Sequence, residues 1–182
     1  MALSATTYKV ELDLSDLDRG VFEAPRFTLA RHPSETVERL VVRILAYALW
    51  YEPQLAFGRD LSDNTEPALV HVGLDGRLLH GIEVGQPDAE RLVRSARRAE
   101  RLSLLAYGNV RVWASRTLPL LEGVSNLAVA AVEADALADL ARDLPRNLRW
   151  GVMISENSLF VTDARGQHEV PLEWLRGQRR AD

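Results

Sequence analysis

Residues 81–100 read GIEVGQPDAERLVRSARRAE, and they hold a strand, a turn and a helix in twenty positions. Ile82 and Val84 alternate to one face of the strand, and a helix runs from Pro87 or Asp88 to about Glu100. Glu83 interrupts the apolar pattern. A carboxylate inside a buried strand must be compensated, because its bare desolvation costs far more than one strand position returns. Two kinds of partner are available: a divalent cation shared with other acids, or an ion pair with Arg91 or Arg94 of the following helix.

The segment upstream supplies geometry. Leu74–Arg77 reads LDGR, and Asp-Gly between apolar runs is the strongest short signal for a two-residue hairpin turn with both central residues at positive φ. Placing Leu74 opposite Arg77 sets Ala68 opposite Glu83 and Glu66 opposite Gly85. Glu66 and Glu83 then become diagonal neighbours on one face, roughly 7 Å apart and within reach of a common ion. Gly81 and Gly85 flank Glu83 on that face, which leaves room for water, metal or phosphate. A slip of one residue would send Glu66 to the other face, so the pairing rests on the register.

Composition bounds the chemistry. The chain has 182 residues, 47% of them apolar, enough for one respectable core and a single domain over 1–182. It contains no cysteine, which excludes disulfides, thiolate metal sites and cysteine nucleophiles. The start MALSATTYKV lacks a signal-peptide pattern, and no apolar run reaches membrane-spanning length, so a cytoplasmic protein without membrane contacts is expected. The formal charge of -4 gives no global attraction to nucleic acid, so phosphate binding requires a local patch. Lys9 is the sole lysine; every other basic residue is arginine.

The rest of the chain alternates strands and helices. ATTYKVELDL at 5–14 reads as a strand with Tyr8, Val10, Leu12 and Leu14 inward, and RFTLARH from 26 as its return. A long helix follows Pro33, with Leu40, Val41, Ile44, Leu45 and Ala48 recurring at helical spacing between Val37 and Tyr51. Glu38 shares a stripe with Val42, Leu45 and Leu49 and is expected to point inward, whereas Arg39 and Arg43 fall on the more polar side, open to solvent or phosphate. Glu35 is explained by the helix dipole and end capping. Beyond the second helix come a strand RLSLLAYG, a helix VRVWASRTLPLLEG, a buried strand NLAVAAVEA, a short helix opened by Asp135, and a closing hairpin from GVMIS, ENSLFVTD and EVPLEWL. The class is mixed α/β.

RHPSETVERLVVRILAYA at 31–48, Glu66-Pro67, GIEVGQPD at 81–88, the basic helix after it and NLAV at 126 resemble the YaeQ family of bacterial proteins over essentially the whole chain. That family is similar in fold to the PD-(D/E)XK nucleases. The resemblance implies a core of helix, three-stranded meander, helix and strand, with an added N-terminal strand pair and C-terminal hairpin. It also implies a metal-dependent phosphodiesterase site: Glu66 stands at the first strand acid, Glu83 at the second and Glu38 at the helical acid, holding Mg²⁺ or Mn²⁺. The superfamily lysine two positions after the second acid is Gly85 here. In some members the basic group comes from the following helix, which points to Arg94, with Arg91 and Arg39 as further phosphate contacts. Arginine stays protonated, so Arg94 serves as a phosphate or transition-state cation and not as a base.

Each residue also has a plainer reading. Glu83 pairs with arginine, Glu66 is a loop acid, Glu38 pairs with Arg39 or Arg43, and the arginines of the second helix form a solvated face diluted by Glu90 and Glu100. His32 is a structural contact, and His71 and His80 lie on a hairpin at no useful ligand spacing; Trp113, Trp150 and Trp174 belong to the core or a lid. No phosphate-binding glycine loop, dinucleotide fingerprint, HExxH or nucleophile elbow is present. The leading expectation is a monomeric nuclease of DNA or RNA. Its alternatives are a catalytically degenerate relative that binds nucleic acid or a protein partner in a regulatory role, and a structural module whose acids are relics.

Overall fold

The computed structural model describes residues 4–58 and 65–179. Four helices are described: α1 (Val37–Leu49), α2 (Ala89–Arg98), α3 (Val110–Thr117) and α4 (Ala134–Ala141). The strands are β1 (Thr6–Asp16), β2 (Val21–Glu23), β3 (Arg26–Arg31), β4 (Ala56–Phe57), β5 (Leu69–Val72), β6 (Leu78–Val84), β7 (Ala99–Ala106), β8 (Leu127–Val132), β9 (Asn147–Ser155), β10 (Ser158–Asp163) and β11 (Gly166–Arg176). They form one curled mixed sheet in the order β2-β1-β9-β10-β11-β8-β7-β6-β5-β4, with β3 also on β1.

The apolar periodicity of α1 states its position. Every residue from Leu40 to Leu49 is buried, and a helix apolar on all sides belongs inside a fold. The inward residues of β1, β9, β10 and β11 pack around it with Ile82, Val84 and the α4 residues Leu137 and Leu140. On the other sheet face, a second core joins Leu92 of α2 and Trp113 of α3 to Leu102, Leu104, Leu127 and Val129. Strands β6, β7 and β8 run parallel, as helical crossovers require. The first strand of the chain lies parallel to β9, and β11 returns antiparallel to β8, so the expected closing hairpin is a three-stranded meander that joins the two halves of the sheet.

The hairpin register holds away from the turn but not at it. Leu69 pairs with Ile82, Val70 with Gly81 and His71 with His80, as the LDGR reading requires. At the tip, however, the Gly73 amide donates to the Arg77 carbonyl, and of the two central residues only Gly76 has positive φ, at 81°. The loop is therefore a longer turn closed by a left-handed glycine. An irregularity between His71 and Val72 absorbs the slip by skipping Leu79, and the face assignment of Glu83 survives.

Leu45 is fully buried at the centre of the larger core. Leu45→Ala is expected to cost about 2–5 kcal/mol of folding free energy, read as a lower urea midpoint at unchanged slope.

Candidate functional site

Glu83 is 2% exposed, and α2 was built to meet it. Asp88 caps that helix, its Oδ1 accepting from the Arg91 amide at 2.7 Å, and this places Arg91 and Ser95, one turn apart, over the strand. Arg91 donates from Nε to Glu83 Oε1 at 3.2 Å and from Nη2 to Oε2 at 3.0 Å, while the Ser95 hydroxyl donates to Oε1 at 2.9 Å. Both carboxylate oxygens are thus engaged by a fork and a hydroxyl. Arg91 Nη2 also reaches the Glu66 carbonyl at 3.3 Å, tying the loop before β5 to α2. The indole of Trp113 fixes the turn between β6 and α2 by donating to the Pro87 carbonyl at 2.8 Å.

Beside this pair opens a cleft of about 340 Å³ at the carboxyl ends of β6 and β7, lined by Glu66, Glu83, Gly85, Arg39, Arg43, Arg91 and Tyr107 among others. Crevices at this end of parallel strands are where open α/β sheets place their ligands. Gly85, at φ 97°, turns the chain out of β6, and a Cβ there would rest in ordinary contact with the Tyr107 ring at 3.7 Å, so the positive φ and not a steric clash is what calls for glycine. Gly81 leaves no such room. A Cβ there would meet Pro67 at 3.1 Å and Leu102 at 3.3 Å, so the space beside it is filled by side chains, not by water or an ion.

The structure brings Glu66, Glu83, Arg39 and Arg91 to one cleft and leaves two expected residues outside it. Glu38 is exposed and not inward, because the first turn of α1 emerges from the core and the apolar stripe used to orient it carries no information in a helix buried all round. Arg94 points to solvent, 59% exposed, and pairs with Glu90 at 2.7 Å; Arg91, one turn earlier, is the arginine that faces Glu83. Arg43 is buried and not on a polar face. Its Nε and Nη2 grip Glu35 at 2.8 and 2.7 Å, and Nη2 also reaches the Ala30 carbonyl at 2.9 Å. Arg39 joins Glu35 at 3.2 Å. Glu35 is therefore the buried acid at the head of α1, and its spacing of four and eight to Arg39 and Arg43 was the signal for it. Burial lowers the Arg43 guanidinium from its ordinary value, and Glu35 opposes that shift.

At the opposite, amino ends of β6 and β7 lies a second polar cluster that sequence reading missed. Glu52, just past α1, accepts from Arg101 and contacts His71 Nδ1. Fully buried His80 places Nδ1 3.0 Å from Arg101 Nη2 and Nε2 2.9 Å from the Ser103 hydroxyl. His71 and His80 face each other across the hairpin, so the strand register was the signal for this pairing. Burial holds the His80 imidazole below its usual range. Burial alone would raise Glu52, but His80, His71 and Arg101 together bring it down to about 2.

The Mg²⁺ or Mn²⁺ site implied by resemblance needs several oxygen ligands converging on one ion. The acids do not fit that need in this arrangement: Glu83 is engaged by Arg91 and Ser95, Glu38 lies outside, and no group of three or more metal-ligating side chains occurs among the described residues. Among the described residues no helix is long and apolar enough to cross a membrane.

Fold and cleft together define a mixed α/β protein whose sheet curls about a central helix and opens a polar, arginine-lined crevice at its parallel strand ends. The chain belongs to the YaeQ family: the model of that family, described as YaeQ protein, matches residues 1–172. It is similar to the YaeQ proteins of Salmonella typhi and Escherichia coli strain K12, at 34% and 32% identity over 178 residues, covering 94% of this chain and 96% of each relative. The crystal structure of YaeQ from Pseudomonas syringae superposes with a TM-score of 0.94 at 60% identity, covering 97% of this chain and 98% of that one. That of YaeQ from Xanthomonas axonopodis pv. citri gives 0.92 at 32% identity, covering 96% and 100%.

Two outcomes test the electrostatics. Arg91→Met leaves Glu83 buried with Ser95 alone and should destabilise the protein by about 3–5 kcal/mol, and adding Glu83→Gln should restore a large part of it in the same denaturation assay. A double variant as unstable as the single one contradicts the assignment. Glu52 has a folded pKa of about 2 against an ordinary 4.5, so its contribution is complete above about 4.5 and is lost as pH falls toward 2. Glu52→Gln should flatten that acid limb in a melting-temperature series.

Proposed function

We propose that the cleft binds a phosphate-bearing ligand of the nucleic-acid class, and that in the arrangement described it does so as a binding protein and not as a metal hydrolase. The observation that carries this is that Arg39 and Arg91, both partly exposed, line one open crevice at the carboxyl ends of β6 and β7, with Arg43 buried behind them on Glu35. Planar guanidinium groups match phosphate oxygens in pairs, and Arg39 and Arg91 keep 27% and 23% of their side chains exposed while anchored by carboxylates behind them. The order α1, antiparallel β4-β5-β6, α2, β7 supports reading this frame as the nuclease-like core that the sequence resemblance implies.

Hydrolysis is the second reading, favoured by one observation: Glu66 and Glu83 line the same cleft. It requires Arg91 to leave Glu83. Calorimetric titration with Mn²⁺ separates the two. Binding by the wild type, or binding gained in Arg91→Gln and lost in Arg91→Gln/Glu83→Ala, favours hydrolysis; no Mn²⁺ binding alongside oligonucleotide binding favours the first reading. On that first reading Arg39→Ala should weaken binding of a fluorescent oligonucleotide by about 10- to 100-fold, the worth of one charged hydrogen-bonding group. Unchanged affinity would remove Arg39 from the site.

A further inference from the structure

The outer face of α2 continues from the cleft. Beyond Arg91, whose guanidinium turns in to Glu83 at the cleft, Arg94, Arg97 and Arg98 are exposed along the helix, while Leu92, Ser95 and Ala96 face inward. This ten-residue helix carries four arginines against one glutamate in a chain whose formal charge is -4. At its far end Arg97 and Arg98 meet Arg77 of the β5-β6 turn around a shallow groove of about 420 Å³. A rise of 1.5 Å per residue puts Arg98 roughly 10 Å from Arg91 along the axis, so two arginine-lined depressions are joined by an arginine ridge.

We infer that the groove of Arg77, Arg97 and Arg98 is a second phosphate subsite, and that α2 is a track along which one nucleic-acid strand runs between it and the cleft. This rests on the reading of the cleft as a phosphate site and adds the ligand's length and direction. The acids along the track do not block it. Glu90 is 82% exposed where it pairs with Arg94, and Arg77 is held by two exposed acids, Asp75 at 51% and Glu100 at 52%; exposed pairs of this kind exchange readily for phosphate. Arg98 is held in place by donating to the Thr65 carbonyl at 3.0 Å, which leaves its guanidinium at the groove edge. A ligand with a single phosphate has no use for the ridge; a strand of several nucleotides reaches both ends.

The test measures oligonucleotide affinity by fluorescence anisotropy across a salt series, comparing the intact chain with Arg97→Ala/Arg98→Ala. Both residues are exposed, and an unchanged melting temperature verifies folding. Each phosphate contact on a single strand contributes about 0.7 to the slope of log affinity against log salt, so the double variant should lose about 1.4 from it. Wild-type affinity should also rise when the strand grows from two to six nucleotides, and the variant should lose that rise. An unchanged slope and length dependence in the variant overturns the track and leaves the cleft reading intact. Absence of wild-type binding even at low salt overturns both. Equal binding of a polyglutamate peptide with the same slope also overturns the strand assignment, in favour of an acidic protein segment.

Discussion

A helix with apolar residues on every side sets the terms for the whole molecule. From Leu40 to Leu49 α1 has no face suited to water, so a flat sheet on one side could not satisfy it, and the sheet curls until strands from both ends of the chain surround it. That enclosure explains why β1 and β9 meet as parallel neighbours and why β11 must cross back to β8. It also decides where polar chemistry can sit. With its flanks sealed, α1 offers only its two ends, and the arginine-lined cleft lies at the first, the Glu52 cluster at the second.

Buried carboxylates are neutralised by the same device in both sheet faces. Glu83 is gripped by Arg91 with help from Ser95, and Glu35 by Arg43 with help from Arg39. Such forks are costly to bury and worse to break, so their value lies more in fixing geometry than in adding stability. Here they hold α2 against β6 and the head of α1 against β3 through the Ala30 carbonyl. The guanidinium edges exposed at the cleft are consequently preset, which is the condition a phosphate site needs.

Much of this was legible from spacing. Alternation gave the inward face of β1, and the period of three and four gave α1 and α2 within a few residues. The hairpin register placed Glu83 correctly although the turn itself differs, since an irregularity in the ladder cancelled the error. What failed was orientation in a helix without a polar side: a stripe argument sent Glu38 inward and Arg43 outward, the reverse of the structure. Choosing Arg91 over Arg94 required knowing how Asp88 starts the helix relative to the strand, and a cap shifted by one residue rotates every side chain by about 100°. Long-range pairings such as Glu52 with His80 and Arg101 leave no local mark, because they join an element end to strands far along the chain.

The parallel pairing of β1 with β9 has a consequence for how the molecule is made. Thr6–Asp16 finds Asn147–Ser155 only when nearly the entire chain is available, a pairing of very large sequence separation and correspondingly slow closure. Until then α1 lacks part of its wall, and an apolar helix with an open sheet edge beside it invites contact with other chains. During synthesis the N-terminal half therefore waits in a sticky, half-built state, and the order in which β9, β10 and β11 arrive governs how long that exposure lasts.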